Sequence, residues 1–217
     1  MSSAPGDPAI NAIRTSYDRV ADAYTEAIFH ELDKKPFDRE ILTRFAAAVG
    51  RGPVIEIGCG PGQVARFLHE LGVDVSGVDL SPAMVEQARR LNPGVRFRVG
   101  DMTVLDLGDG SVAAIAAFYA IVNLADELRR KAFGEMARVL VPGGLLLLSF
   151  HVGGEVLEEK EFLGRPIEMN FYLLDTEIIR TELQSAGLAV EELILREPYA
   201  PEVEYQSQRA YVWARKS

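Results

Sequence analysis

Hydrophobic positions in the first fifty residues recur at spacings of three and four, and beyond residue 53 they give way to short apolar runs alternating with helical stretches. Ile10, Ile13, Tyr17, Val20 and Tyr24 fall on one stripe of an amphipathic helix, since 3.6 residues per turn bring such positions to one face. A second helical stripe follows Pro36, through Phe37, Ile41, Leu42, Phe45 and Val49, until Gly50 to Pro53 close it. The run "PVIEIG" then reads as a strand. "QVARFLHELG" returns to helical spacing with Val64, Phe67, Leu68 and Leu71 on one face, and stops at Gly72, a residue suited to a left-handed cap. "VDVSGVDL" is a second strand, and Ser81-Pro82 a helix start with Met84, Val85, Ala88 and Leu91 inward before "NPG" at 92–94.

"VRFRV" at 95–99 and "SVAAIAAF" at 111–118 are the third and fourth strands, and Leu128, Ala132, Phe133, Met136, Ala137 and Leu140 mark the helix leading to a fifth, "GGLLLLSFH". The near-continuous apolar character of that run and of "PVIEI" is expected of parallel strands covered on both faces. Asp175 opens a helix through Ile178, Ile179, Leu183 and Ala186 to Gly187, and "LAVEELIL" and "RAYVWAR" are two further strands. Strands alternating with helices predict a doubly wound α/β sandwich. The segment 152–174 is longer than a usual connection, and "RPIEMNFYLL" alternates enough for a short ribbon. It reads equally as a substrate lid or as a surface excursion.

The 217 residues, 48% hydrophobic and 25% charged, suffice for a single core and so for a single domain over 1–217, with a helical cap over 9–50. "MSSAPGDPAI" has neither the basic start nor the apolar stretch of a secretory signal, and residues 1–8 read as a flexible tail. The longest apolar stretch, 139–150, is broken by Pro142-Gly143-Gly144 and falls short of the roughly 20 residues that span a bilayer. A soluble, cytoplasmic protein with no membrane partner is expected. A single cysteine, Cys59, excludes an internal disulfide, and the scattered His30, His69 and His151 show no metal-ligand spacing, so no metal is expected. The net charge of −9 argues against a nucleic-acid partner.

The candidate chemistry centres on "VIEIGCGPGQV" at 54–64. Gly58, Gly60 and Gly62 follow the first strand at the edge where open α/β sheets bind ligands. A dinucleotide fingerprint needs G-x-G-x-x-G, but here the third glycine comes one position early and Gln63 stands in its place. Glu56 would repel a diphosphate and suits a ligand with positive charge. The motif resembles the first signature of class I S-adenosylmethionine-dependent methyltransferases, an acidic residue followed by G-x-G-x-G, of the small-molecule type found in ubiquinone and menaquinone biosynthesis. That resemblance implies a seven-stranded sheet in the order 3-2-1-4-5-7-6, strand seven antiparallel, with a lid insertion after strand five. It places Glu56 and the turn of Gly58, Cys59, Gly60 and Gly62 at the methionine end of S-adenosylmethionine. Asp79 with Leu80 would meet the ribose, and Asp101 and the Met102 amide in "GDM" the adenine. Tyr17 and Tyr24 resemble the N-terminal helix that folds over the cofactor, although tyrosines at helical spacing are often simply core.

Phe118, Tyr119 and Asn123 follow strand four, where the family often flanks the transferred methyl group, and Asn123 stands where many metabolite methyltransferases carry histidine. His151 ends strand five, and with an ordinary pKa near 6.5 it would serve as a proton acceptor or orient an acceptor hydroxyl. His151, Tyr119 and Asn123 are therefore the candidate catalytic residues. Cys59 has no base beside it in the pattern and is rejected as a nucleophile. An N-P-P-Y motif is missing, as is a Pro-Cys nucleophile, which with the acidic surface favours a small-molecule acceptor methylated at oxygen, nitrogen or carbon, with S-adenosylhomocysteine as product. The alternatives are a non-catalytic S-adenosylmethionine-binding or scaffold protein and, opposed by the glycine spacing, an NAD(P)-dependent oxidoreductase.

Overall fold

A computed structural model describes residues 7–217. Helix α1 (Pro8–Ile28) starts on Asp7, whose carboxylate accepts the Ala9 amide at 2.8 Å, with Pro8 in the first turn. Residues 1–6 of the expected tail lie outside the described residues, and Pro8 is helical rather than part of a tail. A 3-10 turn (Glu31–Lys34) leads to α2 (Pro36–Ala48). Then come β1 (Val54–Ile57), α3 (Gln63–Glu70), β2 (Val75–Asp79), α4 (Pro82–Leu91), β3 (Arg96–Val99) and β4 (Val112–Phe118). The chain continues through α5 (Asp126–Val139) and β5 (Leu140–His151). The short strands β6 (Val156–Leu157), β7 (Glu161–Phe162), β8 (Arg165–Pro166) and β9 (Phe171–Tyr172) precede α6 (Thr176–Ser185), β10 (Leu188–Arg196) and β11 (Arg209–Lys216).

The seven long strands form one sheet in the order β10-β11-β5-β4-β1-β2-β3. β1 to β5 are parallel, and β11 runs antiparallel between β5 and β10. This is the expected seven-stranded order, with the last strand in sequence inserted beside the fifth. Period-two alternation assigns the two faces. Val54, Ala114, Leu145, Leu147 and Trp213 meet Leu42 and Phe45 of α2 and Leu68 of α3. Ile55, Ile115, Leu146, Leu148 and Val212 meet Phe133 of α5 and Leu183 of α6. Both faces are covered, which is why the central strands tolerate unbroken apolar sequence.

Three details differ from the sequence pattern. Leu140 begins β5 rather than ending α5, and Pro142-Gly143-Gly144 lies within the strand as a bulge, where the register with β4 jumps from Val112↔Leu140 to Ala114↔Leu145. Leu71 and Ile178, expected to face inward, are 44% and 52% exposed, since each sits at the margin of its helical stripe. The ribbon expected within 165–174 instead pairs outward: β9 with β6 and β8 with β7, two nested ladders that fold 156–172 back on itself. Among the described residues no helix is long and apolar enough to cross a membrane.

Candidate functional site

The carboxyl ends of β1, β2, β3, β4 and β5 open on one edge of the sheet, and α1 lies across that edge against α4. Two adjoining cavities occupy it, of about 70 Å³ and about 590 Å³, sharing Tyr17, Tyr24, Gly58, Gly60, Phe118 and Tyr119.

The smaller one is made largely of main chain and single acids. The Gly58 and Cys59 amides both donate to the Val78 carbonyl, at 2.8 and 3.1 Å, which ties the glycine turn to β2. Gly58 and Gly60 have φ of 68° and 49°, the left-handed region that side-chain-bearing residues avoid. A Cβ on Gly58 would lie 2.6 Å from the Ala120 Cβ, whereas one on Gly60 would lie 3.6 Å from the Tyr24 ring, in the space beneath it. Asp79 accepts the Gly60 amide at 2.8 Å and the Ser81 amide at 2.9 Å. Ser81 itself caps α4 by accepting the Met84 amide, so the helix does not depend on Asp79 for its cap. Asp101 holds the Thr103 amide and hydroxyl, both at 2.7 Å, and lines the cavity with Met102 and Leu80.

Glu56 is 2% exposed. Alternation turns it, like Val54, toward α3, where Oε2 accepts the Ala65 amide at 2.8 Å in the first helical turn. Gly62, at the cap position of α3, offers no side-chain acceptor, so Glu56 supplies one from the neighbouring strand. Burial pushes its carboxyl well above the usual range against the pull of that amide, and Asp79 and Glu31 push the same way. Burial likewise raises Asp79. A cation entering here restores the ionised forms, so the site favours positive charge.

Tyr17 donates to Asn123 Oδ1 at 2.7 Å, and Asn123 Nδ2 donates to the Asn170 carbonyl at 2.7 Å. Both polar ends of Asn123 are thus engaged in tying α1 to the segment before β9. Tyr24 packs edge-on to Tyr17 at 6.0 Å and against Phe162 at 6.2 Å. Cys59 is buried, and burial pushes its thiol well up, which leaves no nucleophile there.

The larger cavity ends on His151, Tyr119 and residues the sequence pattern did not mark. Tyr119 has φ 53°, a left-handed conformation at the tip of β4 that its amide bonds to the Ser149 carbonyl and hydroxyl hold in place. His151 Nδ1 pairs with the Ser207 hydroxyl at 2.8 Å. Burial, then the charges of Arg209 and Lys35, push its ring down to about 3, against a smaller upward pull from Glu204. A ring held neutral by burial and by neighbouring cations, and bonded to Ser207, suits the orienting of an acceptor hydroxyl better than the taking of its proton. Below and beside it lie Lys35, Asp38, Glu204 and Arg209, each less than a tenth exposed. Lys35 pairs with Glu31 at 2.6 Å, Arg196 with Glu204 at 2.6 Å, and Tyr211 donates to Asp38. Gln63 donates to Glu31 at 3.0 Å.

Residues 54–144 match the model of a family described as a methyltransferase domain. That stretch is similar to a methyltransferase domain. Over 151 residues the chain is 28% identical to a demethylmenaquinone methyltransferase of Renibacterium salmoninarum, covering 69% of this chain and 62% of that protein. A malonyl-[acyl-carrier protein] O-methyltransferase of Pectobacterium atrosepticum is 32% identical over 147 residues, covering 68% and 56%. The chain thus spans less than two thirds of the length of either curated relative. Beyond the domain, the fold superposes on the [4+2]-cyclase SpnF with a TM-score of 0.76, at 16% identity and with 99% of each chain covered.

The cofactor implied by this family, S-adenosylmethionine, fits the residues present. The smaller cavity is lined by the carboxylates Asp79 and Asp101 and by no basic side chain, a donor set that suits a nucleoside and repels a diphosphate. The space beneath Tyr24 that a Cβ on Gly60 would fill leaves room for main-chain contact, and Glu56 and Glu31, which line the adjoining larger cavity, suit the cationic end of such a ligand.

Proposed function

We propose that the protein transfers a methyl group from S-adenosylmethionine to a small-molecule acceptor bound in the larger cavity. The observation that carries this reading is the set of acids at three successive strand ends, Glu56, Asp79 and Asp101, ranged around a glycine turn that opens into a second cavity of about 590 Å³. Bound there, the cofactor supplies a methyl carbon already activated by the adjoining sulfonium. The protein's part is to align, to exclude water and to hold charge. Asp79 and Asp101 hold the nucleoside end, Glu56 and Glu31 favour the cationic end, and Tyr17 and Tyr24 close over it from α1. Tyr119 and Phe118 border both cavities and so stand where methyl carbon and acceptor meet. The names of the curated relatives, one acting on a quinone precursor and one on a carrier-bound acid, support a metabolite acceptor.

The likeness to a cyclase over 99% of the chain supports a second reading, that the cofactor pocket serves another reaction on the same fold. Calorimetric titration separates these readings from an oxidoreductase: S-adenosylhomocysteine binds and NAD does not. Turnover of labelled S-adenosylmethionine with an acceptor then separates methyl transfer from the second reading.

A further inference from the structure

The charged floor of the larger cavity, below His151, reaches the glycine turn at Glu31. The Oε1 of this residue accepts Gln63 Nε2 at 3.0 Å and its Oε2 accepts Lys35 Nζ at 2.6 Å, with side-chain exposures of 15% for Glu31 and 7% for Lys35. Gln63 opens α3 directly after Gly62, so the first bond brings a carboxylate of the 3-10 turn onto the glycine turn. Glu31 lines the cavity with Gly58, Gly60 and Tyr24. Burial does most to raise the Tyr24 hydroxyl and the Glu56 carboxyl, and the charge of Glu31 adds to both. Glu56, the other acid at the turn, is given to the Ala65 amide, and burial favours its protonated form. Glu31 is the one that stands in an ion pair.

Lys35 in turn stands between two carboxylates. Glu204 Oε2 lies 3.6 Å from the same Nζ, within ion-pair range but too far for a hydrogen bond, so a movement of about 1 Å carries the lysine from one partner to the other. Its flexible four-carbon stem allows this. On the floor Glu31, Asp38 and Glu204 face Lys35, Arg196 and Arg209, which leaves their charges even. A cation arriving at the glycine turn is therefore drawn in only as far as Lys35 gives up Glu31.

We infer that Glu31 reads the charge on the ligand's sulfur, and that Lys35, by exchanging Glu31 for Glu204, sets how strongly the site prefers the sulfonium donor to its demethylated product. This rests on the methyl-transfer reading and names the residues that tell donor from product. With a sulfonium at the turn, Lys35 shifts to Glu204 and leaves Glu31 to the ligand. After transfer the S–C electron pair has returned to sulfur, which is then neutral, so Lys35 regains Glu31 and the product is left without a counter-charge. The ammonium and carboxylate of the amino acid part are common to both ligands. The ratio of their affinities therefore isolates the sulfur.

The test is calorimetric titration of the full-length protein, without acceptor, by S-adenosylmethionine, by S-adenosylhomocysteine and by sinefungin, in which a protonated amine takes the place of the methylated sulfonium. The wild type is expected to bind both cationic ligands at least about tenfold tighter than S-adenosylhomocysteine. Glu31→Gln is expected to cut that preference at least about fivefold, and Lys35→Met, which leaves Glu31 unpaired, to widen it by about as much. A purely structural ion pair would instead weaken all three ligands alike, and in the same direction in both variants. Equal or reversed affinities in the wild type, an unchanged preference in Glu31→Gln, or a narrowed one in Lys35→Met would each overturn the inference. The wild type and Glu31→Gln decide even if Lys35→Met does not fold. If none of the three ligands binds, the cofactor reading falls and the inference with it, whereas binding of all three without preference sinks the inference alone.

Discussion

The two ends of the cavity are held by opposite means. At the nucleoside end the polar groups are main-chain amides and lone acids, each within a few residues of the strand that carries it: Asp79 reaches Gly60 and Ser81, and Asp101 reaches Thr103. At the acceptor end the polar groups are full charges from distant parts of the chain. Lys35 and Asp38 come from before and within α2, Arg196 from β10, Glu204 from the loop before β11, and Arg209 and Tyr211 from β11 itself. The first arrangement tolerates the loss of a partner, because amides also find water and one another. The second does not, because a buried charge with no counter-charge has nowhere to be solvated.

The largest expected effect is therefore at the acceptor end. Glu204 faces Arg196, Arg209 and Lys35 at once, at 2.6, 3.5 and 3.6 Å. Glu204→Gln leaves two buried cations, Lys35 and Arg209, and the part-buried Arg196 short of a counter-charge and is expected to cost about 3–5 kcal/mol in urea unfolding. The wild type should show the same dependence with pH. Burial alone would raise the Glu204 carboxyl, but the Arg196 hydrogen bond, the Tyr199 amide and the charges of Arg209 and Arg196 outweigh it and hold it down at about 2. A folded-state value below the unfolded one means that the stabilisation is complete above the ordinary carboxylate range and fades as pH falls from there toward 2. In Glu204→Gln that part of the acid limb should disappear. A variant with unaltered midpoint would mean that the two ends differ in appearance only.

At the nucleoside end the matching perturbation is Gly60→Ala, which adds one carbon and no charge. The new Cβ meets only the Tyr24 ring at 3.6 Å, an ordinary contact, so stability should fall only by the left-handed strain of alanine at φ 49°, about 1–2 kcal/mol. The added carbon nevertheless fills the space where main chain approaches the cofactor. Affinity for S-adenosylhomocysteine by calorimetry should fall about 100-fold, equivalent to about 2.7 kcal/mol. Affinity lost in excess of stability is the mark of a cradle. Equal losses would mean that the glycine serves the fold alone.

The same contrast explains what could be read from the sequence. The acids at the strand ends announce themselves because each sits at a fixed distance from an apolar run, and the sheet order came with the motif they form. Glu56 was legible as a site residue, but its hydrogen bond to α3 was not, since that depends on which face of β1 meets the helix. The floor was not legible. Lys35 and Glu204 look like solvated charges in their local sequence, and Tyr211 and Asp38 are 173 residues apart. Burial of a charge is decided by partners that no local periodicity contains. Leu71 and Ile178 show the converse error, since spacing alone places an apolar residue at the margin of a helical stripe inward, whereas both are exposed.

The smallest expected effect separates a latch from a wall. The Tyr17 hydroxyl bonds Asn123, which bonds the Asn170 carbonyl, while its ring lines both cavities. Tyr17→Phe removes the latch and keeps the wall. One hydrogen bond near a cavity contributes about 1 kcal/mol, and α1 keeps its other ties, Asp18 to the Ser81 hydroxyl at 2.6 Å and Ser16 to the Glu168 amide at 2.9 Å. The melting temperature should therefore move little, and S-adenosylhomocysteine affinity should weaken by less than about tenfold. Tyr17→Ala removes the ring as well and is expected to weaken the cofactor by more than it weakens the fold, because the helix stays moored elsewhere while the cavity loses a side. If Phe and Ala give the same affinity, the ring contributes nothing to the ligand and α1 acts on the cofactor only through its moorings. If Phe alone costs as much in stability as Ala, the latch belongs to the architecture of the acceptor end, and the boundary between the two regions lies at Asn123.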